Sequence, residues 1–114
     1  MAFSATEQTA LSVTATEVSL ITGTTPAAQT DDAMIQVMID GVTNMVKGDE
    51  FLIKIYEKVR SGGTQRVVFQ ATLSDAQAEA FVTPSLIVLN GWDVTMTRIS
   101  ANSRSFDTSV RKVT

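Results

Sequence analysis

Two runs of alternating apolar and polar residues, one on each side of Gly62-Gly63, constrain the fold of this chain more than any other feature. In the first run Ile53, Ile55 and Val59 lie an even number of residues apart, and in the second run Val67, Phe69 and Ala71 have the same period of two. Because successive side chains of a β-strand point to opposite faces, a period of two predicts a strand with one buried face. Residues 48–73 are therefore predicted to form a β-hairpin.

The length of the turn decides which residues of this hairpin face each other. A two-residue loop puts the apolar residues of the two strands on opposite faces, whereas a three-residue loop, 62–64, unites them on one face. The longer loop pairs Val59 with Val67, and it pairs Ile55 with Ala71. Three-residue loops need a residue with positive φ, which glycine supplies. We therefore predict the three-residue loop.

Asn90-Gly91 indicates a second hairpin, since this dipeptide is typical of the two-residue type I′ turn. The turn creates apolar pairs on a single face: Leu89 with Trp92, and Ile87 with Val94. Trp92 is therefore predicted to lie in the core. Asp93, its neighbour on the strand, is expected to face outward or to cap a turn.

The last two strands are predicted at residues 92–100 and 105–113, joined by a loop at 101–104. A loop of this length sets Arg98 opposite Asp107, and opposite charges on facing strands stabilise a sheet. The sequence thus predicts that the last two strands are neighbours.

The alternation of apolar residues in AMIQVMID, residues 33–40, predicts a strand, whereas its methionines would form a stripe on a helix. Gly41 lies in the middle of the helical version, where glycine costs about 1 kcal/mol relative to alanine. We therefore predict a strand that ends at Asp40, followed by a short helical turn over 42–46. A capping box at 74–77 predicts at most one or two further helical turns.

The first 30 residues are rich in threonine, alanine and serine and carry a weaker pattern. Leu11 and Val13 alternate with polar residues, as do Val18 and Leu20, so two short strands are predicted here. Residues 1–8 either belong to the first strand or form a mobile or partner-binding N-terminal arm.

These segments add up to about seven to nine short strands, with turn signals at the spacing of a sandwich or barrel. A length of 114 residues suits one domain. The fold expected for residues 1–114 is therefore a single all-β domain, either an antiparallel β-sandwich or a jelly-roll-like barrel.

The chain contains neither cysteine nor histidine, which narrows the chemistry available to it. Disulfides, thiolate or imidazole metal sites and the commonest general base are thereby excluded. Adjacent acids at Asp31-Asp32 and Asp49-Glu50 lack the spacing of a calcium loop, and we interpret them as solvated loop carboxylates. We predict no catalytic, cofactor-binding or metal-binding residues, and hence no enzyme.

The net charge is −3, which argues against nucleic acid as a partner. Residues 1–50 hold seven acids and one base, a net of −6, whereas residues 51–114 have a net of +3. If the two halves occupied different faces, the domain would have one acidic and one basic face, and copies could pack head to tail. If the strands of the two halves interleave, this separation of charge vanishes. Because neither a secretion signal nor a membrane-length apolar run is present, we expect a soluble protein made in a cytoplasm, without a membrane partner.

A basic stripe is the clearest candidate contact surface. Five residues form it, of which four are alternate residues on one face of the first strand of the 48–73 hairpin and the fifth lies on the second strand: Lys54, Tyr56, Lys58, Arg60 and Arg66. Such a stripe could bind an acidic partner surface. An ordinary solvated face gives the same pattern, since lysines on an edge strand also prevent pairing with other strands. The predicted contact residues are these five together with Phe3 of the N-terminal segment.

Four short motifs occur together along the chain. They are Gly48-Asp49-Glu50, Tyr56-Glu57-Lys58-Val59-Arg60, Gly91-Trp92-Asp93 and Val110-Arg111-Lys112-Val113. With the segments around them, these motifs resemble a family of small tailed-phage proteins encoded among the virion structural genes, over residues 35–114. The chain departs from the family in the last strand, where Thr108 replaces a tryptophan that precedes Ser-Ile-Arg-Lys.

The resemblance implies a virion protein, assembled in the host cytoplasm: a capsid decoration or cement protein that stabilises the head lattice by protein–protein contacts. The implied partners are the major capsid protein, copies of the chain itself, or both, in an oligomeric assembly on the particle. A minor tail or head–tail joining component is the alternative within the same particle. From a different class, a small soluble ligand-binding β-barrel stays open.

Overall fold

The computed structural model describes residues 2–114, which form nine β-strands in two antiparallel sheets and no helix. In chain order the strands are β1 (Phe3–Val13), β2 (Val18–Ser19), β3 (Ala33–Asp40), β4 (Glu50–Lys58), β5 (Gln65–Ser74), β6 (Phe81–Val82), β7 (Leu86–Val88), β8 (Asp93–Ser100) and β9 (Arg104–Val113). Sheet A has the order β1-β9-β3-β6, and β7 also pairs with β3; sheet B has the order β2-β8-β4-β5. The predicted all-β sandwich is confirmed.

The core lies between the inward faces of strands that alternate as predicted. Alternate residues of β3 in sheet A are buried: Ile35, Val37 and Ile39. Alternate residues of β4 in sheet B are buried as well: Phe51, Ile53 and Ile55. Phe51 meets Phe106 of β9 edge to face, with ring centroids 4.8 Å apart and planes at 77°. The period of two in the sequence thus supplies both layers of the sandwich.

The β4–β5 hairpin forms, but its predicted three-residue loop is wrong. Lys58 pairs with Gln65, so the loop covers residues 59–64. Val59, which was expected to pair with Val67, lies in this loop and is 86% exposed. The paired strands end earlier than the sequence pattern indicated.

Burial at the far end of the hairpin explains the observed register. Ile55 pairs with Phe69 rather than with Ala71. This shift lets Phe51 pair with Leu73, and both side chains are buried. A β-bulge then changes the pairing by one residue close to the loop. The register therefore buries one more apolar pair in the core and leaves the valines near the loop exposed.

The predicted hairpin at Asn90-Gly91 is wrong, because this segment crosses from sheet A, which contains β7, to sheet B, which contains β8. Gly91 has the positive φ of such a turn, +54°, but the carbonyl of Asn90 accepts the backbone N–H of Lys58 at 2.9 Å. One carboxylate oxygen of Glu57 accepts the N–H groups of Leu89 and Asn90, at 2.7 and 3.2 Å. These hydrogen bonds to the end of β4 fix the connection between β7 and β8, which has no hairpin ladder of its own.

Strands β8 and β9 also belong to different sheets, so the predicted pair of Arg98 with Asp107 does not form. Arg98 donates through Nη1 to the hydroxyl of Ser103 at 3.2 Å. Asp107 accepts the N–H of Ala10 at 2.8 Å, where β1 has a bulge. The ends of these two strands lie within one residue of their predicted positions, and only the partnership between the strands differs.

Short hydrogen-bonded turns stand where helical turns were predicted. After β3, the N–H of Met45 donates to the carbonyl of Gly41 at 3.0 Å and closes a single turn. After β5, Asp75 has a φ of +63°, which a right-handed helix excludes. The side chain of Gln77 donates back to the carbonyl of Ser74 at 2.9 Å, so its amide closes a turn and caps no helix.

Residues 3–8 belong to β1 and pair with β9 along their whole length, where the sequence also allowed a free arm. Met1 of that predicted arm lies outside the described residues. Strands from both halves of the chain alternate in sheet A, because β9 lies between β1 and β3. Two ion pairs among residues 2–114 join the halves: Asp31 with Lys112, and Asp49 with Arg104. The acidic and basic halves therefore interleave.

Candidate interaction surfaces

The structure separates the six predicted contact residues. Three of them lie on the outward face of β4, a central strand of sheet B: Lys54, Tyr56 and Lys58. The other three lie elsewhere: Arg60 in the loop after β4, Arg66 opposite Glu57 on the other face of the hairpin, and Phe3 at the start of β1 in sheet A. The basic stripe is thus shorter than expected, and Phe3 belongs to a separate surface.

An acid that the sequence analysis missed lies within this stripe. The Tyr56 hydroxyl donates to Glu17 Oε2 at 2.7 Å, and the Thr95 hydroxyl donates to the same oxygen. Glu17 precedes Tyr56 by 39 residues, so only the tertiary fold brings the two together. Because Lys54 and Lys58 flank Tyr56 on the same face, the carboxylate offsets part of their positive charge.

Tyr56 makes this arrangement measurable, because it is the only tyrosine of the chain. Burial and the adjacent Glu17 carboxylate raise the pKa of Tyr56 to about 12. The neutral phenol therefore stabilises the fold fully below the unfolded pKa of about 10, and this stabilisation is lost as the pH rises through the folded-state pKa. We expect ultraviolet titration of the phenolate to show the raised pKa, and we expect Glu17→Gln to lower it.

Circular dichroism at each pH controls for unfolding in this titration. The same titration in concentrated urea provides the unfolded reference. An unshifted tyrosine pKa in the folded wild-type protein would contradict the hydrogen bond between Tyr56 and Glu17.

A second polar cluster lies beneath the segment between β2 and β3. Asp93, which was expected to face outward, is only 1% exposed. Its Oδ1 accepts the hydroxyl of Ser19 at 2.8 Å, and its Oδ2 accepts the N–H of Ala27 at 2.8 Å. Burial raises the pKa of Asp93, while these donors act in the opposite direction. Because both Ser19 and Asp93 are buried, no substrate can reach this hydroxyl–carboxylate pair. The hydrogen bonds of Asp93 instead attach the segment between β2 and β3 to sheet B.

Asp49 was predicted to be a solvated loop carboxylate, and its side chain is instead fully buried. Its Oδ2 lies 2.9 Å from Arg104 Nε and also accepts the N–H of Val46 at 2.9 Å. Burial alone raises the pKa of Asp49, but the hydrogen bonds from Arg104 and the backbone outweigh it and hold the pKa below its usual value. Among residues 2–114, no three acidic side chains converge in a way that could hold a metal ion.

Apolar side chains, three of them exposed and that of Val113 half-buried, line up across the outer face of sheet A. Cross-strand pairing joins four residues, one each from β1, β9, β3 and β7: Phe3, Val113, Met34 and Ile87. We call these four residues the apolar row. Phe3 is 78% exposed and Ile87 is 69% exposed. A surface depression of about 660 Å³, lined in part by Phe3, Met34 and Val113, lies beside the row.

Of this row, only Phe3 was predicted to be a contact residue. Ile87 was predicted to face the core of a hairpin that does not form. The signal for Met34 was present, because a strand that turns Ile35 and Val37 inward must turn Met34 outward. The exposure of Ile87 follows only from the pairing of β7 with β3, which local pattern does not reveal.

Comparison with models of known protein families identifies no family for this chain, and neither curated proteins nor solved structures give a match. Within the part of the chain that the structure describes, no helix has the length and apolar character needed to cross a membrane. The surfaces of the two sheets are therefore the features from which a function can be inferred.

Proposed function

We propose that this chain is a structural protein of a tailed-phage particle, a capsid decoration or cement protein that binds the head lattice. The assignment to a phage particle is supported by the resemblance of the motifs at 48–50, 56–60, 91–93 and 110–113 to small tailed-phage proteins. The observation that carries a contact function is the apolar row on the outer face of sheet A. On the particle, the chain bridges copies of the major capsid protein, or its own copies, and stabilises the lattice without chemistry.

The apolar row supports this proposal because contiguous exposed apolar side chains mark interaction sites on soluble proteins. Phe3, Met34 and Ile87 each leave 45% or more of the residue exposed. Fully burying a side chain of this size stabilises a contact by roughly 1.5–3 kcal/mol. The row is therefore the strongest source of binding free energy on this face.

The residue beside the row indicates the chemistry of the partner. Arg111 pairs with Ala5 on one side and with Gln36 on the other, so its side chain shares the outer face with the row. Arg111 is exposed and belongs to neither ion pair of residues 2–114. A matching partner surface presents an apolar ridge with an acidic group next to it.

The interior argues against the ligand-binding barrel. The space between the sheets is filled by large buried side chains, of which the largest are Trp92, Phe51 and Phe106. Sites for small molecules need a concave cavity, usually of about 300–1,000 Å³, that covers most of the ligand. The depression beside the apolar row is open to solvent and suits a protein surface better.

Quantitative mass spectrometry of purified particles tests this function. A decoration protein occupies equivalent sites over a symmetric lattice, so we expect on the order of hundreds of copies per particle. About a dozen copies or fewer would identify a head–tail joining or tail component instead. Particles that lack the chain would refute the virion function.

Two matched variants test whether the apolar row makes this contact with the head. Ile87→Glu places a charge within the row, and Val59→Glu places one in the exposed loop at the end of the basic stripe. We expect Ile87→Glu to abolish binding to heads that lack the chain and Val59→Glu to preserve it. If Val59→Glu abolished binding and Ile87→Glu preserved it, the contact would lie on sheet B instead.

A further inference from the structure

Strand β1 forms an exposed edge of sheet A. It pairs with β9 on one side, and no described residue pairs with its other side. The strand runs for 11 residues and carries a single charge, Glu7, with neither lysine nor proline. Proteins usually guard a free edge with such residues, because its unpaired backbone groups bind other strands. The edge of β5 in sheet B carries Arg66 and has a bulge close to its loop, both of which discourage pairing, whereas the bulge of β1 lies beyond Gln8 and leaves 3–8 regular.

The backbone bonds show which residues of β1 face the free side. Ala2 and Thr114 exchange two backbone hydrogen bonds, of 2.8 and 3.0 Å. The register is constant from Phe3 to Gln8, and hydrogen-bonded pairs alternate with non-bonded pairs in an antiparallel ladder. The even-numbered residues therefore bond to β9. The N–H and C=O groups of three residues point away from β9: Phe3, Ala5 and Glu7.

We propose that two copies of this chain associate through β1, as antiparallel strands with Ala5 on the two-fold axis. This register sets Ala5 opposite Ala5, and it sets Phe3 opposite Glu7 of the second copy. It pairs every outward-facing backbone group between Phe3 and Glu7. Centring the pair on Glu7 would oppose two like charges, and centring it on Phe3 would leave the groups of Glu7 unpaired.

The side chains fit this register. Ala5 has a small side chain, so the two strands can approach at the axis without a clash. The bulge between Gln8 and Leu11 ends the regular part of β1 beyond the paired segment. Joining the edges makes one continuous sheet from the two copies of sheet A, with both apolar rows on the same face. The association needs no phage component, so it is independent of the virion function.

Disulfide trapping tests the register, because the chain has no cysteine of its own. In Ala5→Cys the two introduced residues face each other at a Cα separation of about 5.5 Å, which a disulfide can bridge. Glu7→Cys is the matched control, since four residues of offset separate its two copies by about 14 Å. We expect mild oxidation to convert Ala5→Cys to a covalent dimer and to leave Glu7→Cys without a covalent cross-link.

Sedimentation velocity over a concentration series tests the association without cross-linking. Ala5→Pro removes an N–H that does not bond to β9, so the monomer keeps its own hydrogen bonds. We expect this variant to raise the dimer dissociation constant about tenfold or more, because each copy loses a donor at the axis. Ala5→Ser keeps the N–H and should dimerise like the wild type.

Two results would overturn the proposal. One is a wild-type chain that stays monomeric at high concentration while Ala5→Cys fails to cross-link. The other is cross-linking of Glu7→Cys in preference to Ala5→Cys, which would refute this register. If Ala5→Pro does not fold, the cysteine pair still decides between these results.

Discussion

Replacing Phe106 by alanine is expected to lower the free energy of unfolding by about 3–5 kcal/mol. Phe106 is fully buried on β9, and its ring contacts the ring of Phe51 across the interface between the sheets. The substitution removes apolar surface from the core and leaves a cavity that both sheets line. Urea unfolding followed by the fluorescence of Trp92, the only tryptophan, measures the effect.

A double-mutant cycle with Phe51→Ala separates the aromatic contact from burial. The edge-to-face geometry predicts a coupling energy of about 0.5–1.5 kcal/mol between the two positions. Losses below about 1 kcal/mol for the single substitutions would mean that these rings are not in a packed core. Additive losses would mean that the two rings do not touch.

Replacing Asp49 by alanine is expected to lower the free energy of unfolding by about 2–4 kcal/mol. The Asp49 side chain is fully buried, and its loss leaves the guanidinium of Arg104 and the N–H of Val46 without their acceptor. The side chain of Arg104 is 26% exposed, so water compensates for part of this loss. Urea unfolding at pH 7 measures the difference from the wild type.

Asp31→Ala is the matched control, because Asp31 forms the other ion pair, with Lys112, at the surface. A surface pair contributes about 0–1 kcal/mol, so the control should unfold nearly like the wild type. Equal effects of the two substitutions would contradict the buried position of Asp49.

The dependence on pH gives the buried ion pair a second signature. Hydrogen bonds from Arg104 and the backbone hold the pKa of Asp49 below its usual value, although burial opposes them. Its stabilisation is therefore fully present above the unfolded pKa of about 4 and is lost as the pH falls through the folded-state pKa. The difference in unfolding free energy between wild type and Asp49→Asn should shrink over this range. Asp93, whose raised pKa acts in the opposite sense, is common to both proteins.

Local alternation made most strands predictable, whereas the pairing between strands was not. Strand β3 ends at Asp40 as predicted, because Ile35, Val37 and Ile39 alternate without interruption. Asn90-Gly91 led to the wrong prediction of a hairpin, since its turn signal is also compatible with a connection between the two sheets. The crossing is held by a hydrogen bond that the Glu57 carboxylate accepts from the backbone N–H of Leu89, and that contact spans 32 residues.

The buried acids were missed for the same physical reason. Asp49 has polar neighbours in sequence that resemble a solvated loop, whereas Asp93 follows a core tryptophan on a strand, which predicts an outward side chain. The partners of both acids come from distant parts of the chain. Arg104 lies 55 residues from Asp49, and Ser19 lies 74 residues from Asp93. A local pattern contains no information about such pairs. The apolar row was likewise hidden, because it unites residues from both ends of the chain.

Locating the chain in a reconstruction of the intact particle tests the virion function most directly. We expect density for the two-sheet domain on the outer surface of the head, repeated over the lattice. In that density the outer face of sheet A, with the apolar row, should lie against a neighbouring subunit. Density confined to the tail or to a single vertex, or a domain whose apolar row faces solvent, would contradict this function.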